Sequence, residues 1–238
     1  MFVYLILFPW GREKKRMALR DIRQYPDKVL RERSEDLDLS SDLACQIRDD
    51  LIDTLSLVSG AGLAAPQIGF SYNAVIIRPS IMKIHNPDPS EKNPDFWFLG
   101  NPVITVLSDS EKIVWKEACL SVPVVSGPVA RESYIKINYE NIKGEKKEVT
   151  LGPPMSMVMQ HEVDHLEGKL YIDRVQGVSK YMINKKLKKA FRKEKKNHEQ
   201  LVETMASISR PQLTKLHNEK RKSLREKRKN KKKSRSKG

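Results

Sequence analysis

The sequence predicts an α+β fold in which antiparallel sheets pack around one central, metal-binding helix. An amphipathic helix pattern comes first, several strand-like segments follow, and a second helical segment bearing two histidines comes after them. Runs of strands combined with separate helices are typical of α+β proteins rather than of doubly wound parallel folds. A basic C-terminal tail, predicted to be helical and then disordered, completes the architecture.

The first predicted helix covers residues 41–60. Its apolar residues recur every four positions, at Leu43, Ile47, Leu51 and Leu55. Ser40 or Ser41 is a suitable N-cap, because a serine oxygen accepts hydrogen bonds from the first free backbone N–H groups of a helix. A loop punctuated by Gly and Pro is predicted at 61–70, followed by a short strand at 73–78.

The middle of the chain reads as antiparallel strands. Residues 79–98 are rich in Pro, Asp and Asn, and we expect them to form a long excursion from the sheet. Residues 97–123 alternate between apolar and polar side chains in strand-like pieces. Residues 133–151 predict a hairpin of two alternating strands around a Lys-Gly turn.

Charge divides the chain near its last quarter. Residues 180–238 contain 23 Lys and Arg against 5 Asp and Glu, whereas the whole chain has a net charge of +15. The earlier residues are therefore slightly acidic, as in an ordinary soluble domain. We expect an N-terminal extension at 1–16, either disordered or upstream of the native start, a main folded domain at 17–177 and a basic tail at 178–238.

The cysteines and the N-terminus indicate the compartment. Two cysteines, Cys45 and Cys119, are too few for a disulfide framework, which favours a reducing environment. The apolar run at residues 1–10 is well short of the roughly 20 residues that span a bilayer, and its basic residues follow it, unlike those of a secretory signal. We expect a cytoplasmic protein with no membrane association.

The second predicted helix begins near Met155, ends around Gly168 and carries the pattern His-Glu-x-x-His. At helical spacing, His161 and His165 lie on one face with Cβ atoms about 5–6 Å apart, so both imidazoles can bind one ion. Glu162 can reach a water on that ion without being a ligand. The pattern also arises by chance on surface helices, so alone it leaves metal binding open.

Three residue types could supply the third protein ligand. A histidine six residues after His165 would complete one protease pattern, but that position is Tyr171. A downstream glutamate would complete another, yet Glu194 and Glu199 lie in a Lys-rich stretch. Cys119 would give one thiolate and two imidazoles, a set suited to catalytic zinc or iron, although a free cysteine is more often a small core residue. Spacing alone does not decide between them.

Three segments, in order, resemble the signature motifs of the peptide deformylases. They are GLAAPQIG (62–69), EACLSVP (117–123) and QHEVDHLEGKLYIDR (160–174), and the resemblance extends over about residues 17–175. Two departures stand out: Ala118 occupies the usual Gly position before the cysteine, and the excursion at 79–98 is longer than is typical. Neither departure removes a group that the chemistry needs.

The resemblance implies a metal-dependent hydrolase that removes the formyl group from N-terminal formylmethionine of new polypeptides. It assigns Cys119, His161 and His165 as ligands of one Fe²⁺, which Ni²⁺, Co²⁺ or Zn²⁺ can replace. A bound metal lowers the pKa of water, and Glu162 would act as general base and then general acid. The amide of Gln67 and the backbone N–H of Leu120 would stabilise the oxyanion. Without the other motifs, Gln67 reads as a turn residue with its amide in solvent.

The resemblance also implies a pocket for the methionine side chain. Gly62 would let an extended peptide approach closely and bind as an added strand, while Ala61, Met157 and Val158 would line the pocket. Glu117 would hold the substrate strand near the mouth of the pocket. For Met157 and Val158, simple core packing is a compatible alternative. Two further matching residues are expected to be structural: Arg174, and Asp164, which would orient a histidine.

The basic tail at 178–238 predicts binding to ribosomal RNA, because a dense positive charge favours sequence-independent phosphate contacts. A solvated charge run with no partner is the alternative. Two other functions remain open from the sequence: a general zinc peptidase, and a catalytically weak ribosome-binding protein on a deformylase scaffold. The absent histidine at position 171 and the EACLS segment argue against the peptidase. The intact catalytic residues argue against the weak enzyme.

Overall fold

The computed structural model describes residues 20–88 and 93–207. The predicted extension at 1–16 and the end of the predicted tail, residues 208–238, lie outside the described residues. The chain divides into one unit that ends at Asn184 and a smaller unit that begins at Lys185. Within the described residues, no helix is both long enough and apolar enough to cross a membrane.

The described residues form four α-helices and seven β-strands. The helices are α1 (Asp42–Ser56), α2 (Met155–Leu166), α3 (Tyr171–Arg174) and α4 (Gly177–Ser207). The strands are β1 (Gly62–Ala64), β2 (Ala74–Ile77), β3 (Trp97–Val106), β4 (Lys112–Cys119), β5 (Val122–Glu132), β6 (Ile135–Glu140) and β7 (Lys146–Leu151). Short 3-10 turns lie at Lys28–Arg31, Ala65–Ile68 and Pro79–Met82. This is the mixed α+β architecture with antiparallel sheets that the sequence predicts.

All of the strand pairs within the two sheets are antiparallel. Five strands form one sheet in the order β1-β2-β3-β6-β7, and β4 pairs with β5 in a separate two-stranded ribbon. The β6–β7 hairpin is confirmed, and its turn contains Gly144 at φ +76°, a conformation that glycine adopts without steric cost. Each sheet has one irregularity in its register, between Gly100 and Val103 in the large sheet and between Glu117 and Cys119 in the ribbon.

The two main helices pack on opposite faces of the five-stranded sheet. Successive side chains of a strand point to opposite faces, so Ile76 and Phe98 pack in the cluster of α1, whereas Val75 and Leu99 pack in the cluster of α2. Helix α1 begins at the N-cap Ser41, whose hydroxyl oxygen accepts a hydrogen bond from the backbone N–H of Ala44 at 3.2 Å. Three of its four predicted apolar positions are fully buried: Ile47, Leu51 and Leu55.

Two sequence-based predictions for the sheet were wrong at their edges. The predicted excursion ends before Trp97, because Trp97 and Phe98 are fully buried members of β3 that pair with β2. The predicted loop at 61–70 contains the strand β1, because Gly62 to Ala64 pair with Val75 to Ile77. Three residues starting with glycine carry too little alternation for this strand to be recognised from sequence.

Candidate active site

The three predicted metal ligands converge from two separate elements. Helix α2 presents His161 and His165 from adjacent turns, and Cys119 lies at the end of β4. The possible ligand atoms of these side chains all lie within 4.8 Å of one another. The Sγ atom of Cys119 is 3.2 Å from Nε2 of His165. The packing of the β4–β5 ribbon on α2 thus brings together ligands that are up to 46 positions apart in the chain.

The register shift in the ribbon lies directly at the cysteine. Glu117 pairs with Gly127 and Cys119 pairs with Val122, so the ladder is disrupted between the two paired positions. Such irregularities bend a strand and redirect its side chains, and they are frequent next to active sites. The intervening residue, Ala118, is exposed at the cavity rim, so its methyl group does not displace a buried neighbour.

Glu117 fixes the orientation of the first histidine. An oxygen of Glu117 is 2.7 Å from Nδ1 of His161, which leaves Nε2 of that ring as its free donor atom for a metal. Arg131 donates to both oxygens of Glu117, at 2.7 and 2.9 Å. Glu117 was predicted to hold the substrate strand. Its carboxylate is fully engaged by Arg131 and His161, so the side chain is not free to hold a substrate.

Asp164 does not orient a histidine, contrary to the prediction from sequence. Its carboxylate accepts hydrogen bonds from Arg131, at 2.6 Å, and from Arg174. Both carboxylates around Arg131 are buried, and Arg131 itself is 2% exposed. Arg131 therefore joins Asp164 on α2 to Glu117 on β4. The histidine that a carboxylate orients is His161, and that carboxylate belongs to Glu117.

These contacts determine the charge state of the site. Burial raises the pKa of Glu117, but the hydrogen bonds with His161 and Arg131 outweigh burial and lower that pKa to about 2. Burial lowers the pKa of His165 well below its ordinary value, which keeps this imidazole neutral and its lone pair free. Burial also disfavours the charged form of His161, but hydrogen bonds with Cys119 and Glu117 raise its pKa well above the ordinary value.

Glu162 is a buried carboxyl group beside the three ligands. Burial raises its pKa to about 7, the range in which a carboxylate exchanges protons efficiently at neutral pH. A Cβ atom added at Gly62 would lie 2.7 Å from Oε1 of Glu162 and 2.8 Å from its Cγ. Gly62 is therefore needed first to make room for Glu162, a reason that the sequence did not reveal.

Gln67 is buried and points at the cysteine. It lies in the 3-10 turn Ala65–Ile68, and its side-chain oxygen accepts a hydrogen bond from the backbone N–H of Ala64 at 2.8 Å. The side-chain Nε2 lies 3.2 Å from Oγ of Ser121 and 3.6 Å from Sγ of Cys119. The alternative of a turn residue with its amide in solvent was wrong, because the side chain is packed between β1 and the ribbon.

These residues surround a cavity of about 400 Å³. All but one of the predicted site residues line it, the exception being His165: the lining includes Ala61, Gly62, Gln67, Glu117, Cys119, Leu120, Met157, Val158, His161 and Glu162. Met157 is 1% exposed, so core packing and pocket lining are combined in one side chain.

Several residues at the site were missed by the sequence reasoning. Arg131 supports Glu117, and Ser121 lies against the amide of Gln67. Neither residue stands at a sequence spacing that would identify it as part of a site. Tyr171 was considered only as the absent histidine. Its ring stacks on His161 with the centroids 6.1 Å apart, and its hydroxyl donates to the backbone oxygen of Val125 at 2.9 Å. An aromatic residue six positions after the predicted ligand His165 carries no recognised signal.

The donor set fits a divalent transition metal. A thiol and two imidazoles with their donor atoms converging, one ring already oriented by a carboxylate, suit zinc or ferrous iron. Within the described residues, Oε2 of Glu162 and Nδ1 of His165 are buried and have no hydrogen-bond partner. Buried polar atoms are rarely left unpaired, so the free oxygen of Glu162 marks a place for a water molecule or substrate.

A His-Glu-x-x-His helix whose two histidines meet a cysteine beside a cavity, in an α+β fold, defines a metal-dependent hydrolase. A family model described as polypeptide deformylase matches residues 19–181. The chain therefore belongs to the polypeptide deformylase family. Members of this family hydrolyse the N-formyl group of formylmethionine on newly made polypeptides, and this chain is a metal-dependent deformylase. The general peptidase and the weak ribosome-binding protein are not favoured.

Known relatives resemble the chain over most of their length. The peptide deformylase of Bartonella tribocorum is 34% identical over 186 residues, covering 78% of this chain and 99% of the relative. A crystal structure of the Plasmodium falciparum enzyme is 32% identical, with a TM-score of 0.65, and the match covers 75% of this chain and 99% of that one. A Met-Ala-Ser-bound class I type b peptide deformylase from Acinetobacter baumannii is 28% identical, with a TM-score of 0.57, over 67% and 99% of the two chains.

Proposed function

We propose that Cys119, His161 and His165 hold one divalent ion per chain, and that this ion is Fe²⁺, replaceable by Ni²⁺, Co²⁺ or Zn²⁺. The convergence of their donor atoms within 4.8 Å carries the proposal. A neutral His165 and a His161 ring oriented by Glu117 support it, because a metal ligand needs a free lone pair and a fixed direction. The resemblance to deformylases, rather than the donor types, favours iron.

Glu162 moves the proton in the proposed reaction. A bound divalent ion supplies Lewis-acid activation of a water molecule and of the formyl oxygen. The unpartnered Oε2 of Glu162 accepts a proton from the attacking water as its oxygen bonds to the formyl carbon, and the same carboxyl group donates that proton to the amine nitrogen as the C–N bond breaks. Its burial keeps the pKa near neutrality, so both the acceptance and the return of a proton are accessible.

Gln67 and Leu120 stabilise the developing negative charge. The oxygen of the Gln67 side chain is occupied by the backbone N–H of Ala64, so its NH₂ group is held towards Cys119. A donor fixed in this way incurs no reorganisation cost as charge develops on the formyl oxygen. The backbone N–H of Leu120, next to the cysteine, is the proposed second donor.

The substrate binds as an extended peptide along the cavity. β1 pairs only with β2 among the described strands, so the edge that carries Gly62 is open to an added strand. Ala61, Met157 and Val158 line the space for an unbranched methionine side chain. The main chain of Glu117 contributes from the opposite side, in the ribbon.

Metal titration of single-residue variants tests this site. Cys119→Ser, His161→Ala and His165→Ala should each bind far less than one Ni²⁺ per chain at a concentration that saturates the parent. Cys45→Ser is the matched control, because Cys45 is an exposed free thiol far from the ligand set in sequence. Parent-like metal content in all three ligand variants would refute the assignment.

We further propose that the enzyme works in the cytoplasm and that residues 178–238 bind ribosomal RNA. The small number of cysteines supports the compartment, and the excess of Lys and Arg supports phosphate contacts. The full chain should co-sediment with ribosomes at low salt and less at moderate salt, and a chain lacking 178–238 should not. Equal sedimentation of the two proteins would show that residues 178–238 are not responsible for ribosome binding.

A further inference from the structure

One wall of the cavity comes from the segment between β2 and β3. Met82, the last residue of the 3-10 turn Pro79–Met82, lines the cavity together with Met157 and Val158. Met82 is partly buried and packs against the same apolar cluster as Val158, the cluster on the α2 side of the sheet. The side chain therefore lies at the interface between this cluster and the space proposed for the substrate.

The start of the segment is anchored to Ala61, which also lines the cavity, and to α1. The backbone N–H of Arg78 donates to the oxygen of Ala61 at 2.8 Å, and its guanidinium donates to the oxygen of Leu55 at 2.6 Å. The guanidinium also lies over the ring of Phe96, 5.0 Å from its centroid. The turn that carries Met82 is thus fixed to α1, to the residue before β1 and to the residue before β3.

The turn is closed tightly after Met82. Lys83 adopts a left-handed conformation at φ +58°, and its backbone N–H donates back to the turn, to the oxygen of Ser80 at 3.0 Å. Further along, the hydroxyl of Tyr139 donates to the buried carboxylate of Asp88 at 3.0 Å, which fixes the segment to β6. The left-handed conformation of Lys83 is unfavourable for a non-glycine residue and persists only where the surrounding structure determines the backbone. The position of Met82 is therefore built into the fold.

We propose that Met82 is a specificity-determining residue that closes the pocket for the first side chain of the substrate, an inference that rests on the proposed function. A thioether chain adapts its shape to an unbranched partner of similar polarisability, so Met82 suits a methionine side chain. Because the backbone that carries Met82 is fixed, the wall cannot move back far enough to admit a larger, rigid side chain such as that of phenylalanine. The selectivity of the enzyme for the first side chain is thus set partly by the segment between β2 and β3 and not only by α2.

Ile84 provides a matched control for the loss of packing. It lies two residues after Met82, is partly buried and packs against the same cluster, but it does not line the cavity. Ile84→Ala removes a similar apolar side chain from the same segment and leaves the pocket wall intact. Met82→Leu nearly conserves the side-chain volume and tests whether filling the space is sufficient.

The experiment compares formyl-Met-Ala-Ser with formyl-Phe-Ala-Ser as substrates of the metal-loaded full chain. Met82→Ala should lower kcat/KM for the methionine peptide about tenfold, mainly through KM, and raise the Phe-to-Met ratio of kcat/KM about tenfold. Met82→Leu should retain the parental ratio. Ile84→Ala should lower the melting temperature and leave the ratio unchanged.

Calorimetric binding of the products Met-Ala-Ser and Phe-Ala-Ser to the same four proteins separates this proposal from the proposed function. A parent that releases no formate contradicts the proposed function, whereas a binding preference that shifts only in Met82→Ala still supports the role of Met82. An unchanged Phe-to-Met ratio in Met82→Ala, in both turnover and binding, would overturn it. So would an equal shift in Ile84→Ala.

Discussion

At the scale of single residues, Glu162 and Gly62 depend on each other. The carboxyl group of Glu162 occupies the space where any other residue at position 62 would place its Cβ. Gly62→Ala should therefore displace Glu162 and lower kcat by about 10²–10⁴, the usual contribution of a positioned general base. Bound metal should remain at one per chain, because no ligand is touched. Parent-like kcat in this variant, measured by formate release, would contradict the proposed role of the pair.

The side-chain amide of Gln67, which is held in place by the backbone N–H of Ala64, gives a second prediction for a single residue. Gln67→Ala should reduce kcat by about 10²–10³, the cost of losing one oxyanion donor, with KM changed much less. Ser121→Ala removes only the hydroxyl that lies 3.2 Å from the Gln67 amide, so its effect should be smaller. A Gln67→Ala enzyme that retains more than about a third of the parental kcat would exclude an oxyanion role.

The pKa of Glu162 predicts how activity depends on pH. Burial raises this pKa to about 7, and a bound cation nearby lowers it again, so the acid limb of the profile should lie at or below pH 7. The carboxylate is the required form, hence kcat/KM should rise about tenfold per pH unit below the limb and be level above it. Formate release between pH 5 and 9 measures the profile. A rate that falls as the pH rises from 5 to 7 would contradict the assignment.

Which individual residues could be predicted depended on whether their partners were close in sequence. His161, Glu162 and His165 lie within one helical repeat, so spacing alone suggested their shared role. Cys119 required the resemblance, because no periodicity connects it with α2. Arg131 was not predictable, since a buried ion pair between strand neighbours leaves no pattern in a single sequence.

At the scale of elements, α2 and the β4–β5 ribbon are joined through Arg131. Lysine at position 131 would keep the charge but lose the forked geometry that satisfies Glu117 and Asp164 together. Arg131→Lys should weaken metal affinity about 10- to 100-fold, because Glu117 would no longer hold His161 firmly. It should also lower the free energy of unfolding by about 3 kcal/mol, the scale of a broken buried pair.

Arg174→Lys is the control for Arg131→Lys. Arg174 also binds Asp164, but its side chain is 42% exposed, so water can replace the lost contacts. Its metal affinity should stay close to that of the parent. Co²⁺ titration and urea unfolding measure both variants. Equal metal affinity in Arg131→Lys and the parent would show that the arginine does not support the site.

Elements were predicted well where a repeating pattern was long. Helices α1 and α2 and the hairpin β6–β7 each contain several repeats of their own periodicity, and their bounds differ from the prediction by only a few residues. β1 was missed because it has three residues. The predicted excursion extended two residues into β3, although the alternation from residue 97 predicted the start of that strand, and the pairing with β2 determines that Trp97 and Phe98 belong to the sheet.

At the scale of the whole molecule, charge and chemistry are separated along the chain. The deformylase match ends at residue 181, close to where the excess of Lys and Arg begins. The predicted boundary at residues 177 and 178 rests on composition, which is a property of long segments and does not require knowledge of contacts. The cavity could not be predicted in the same way, since its walls come from the segment after β2, the ribbon and α2, and only the packed fold brings them together.

Hydrolysis of the formyl group is proposed to depend on Glu162 and on the Cys-His-His site together. The most direct test is formate release from formyl-Met-Ala-Ser by the full chain loaded anaerobically with Fe²⁺ or Ni²⁺, beside Glu162→Gln, which keeps the shape of the side chain but cannot accept the proton. We expect formate from the parent and a rate at least about 10²-fold lower from Glu162→Gln at equal metal content. No formate from the metal-loaded parent, or equal rates from both proteins, would contradict it.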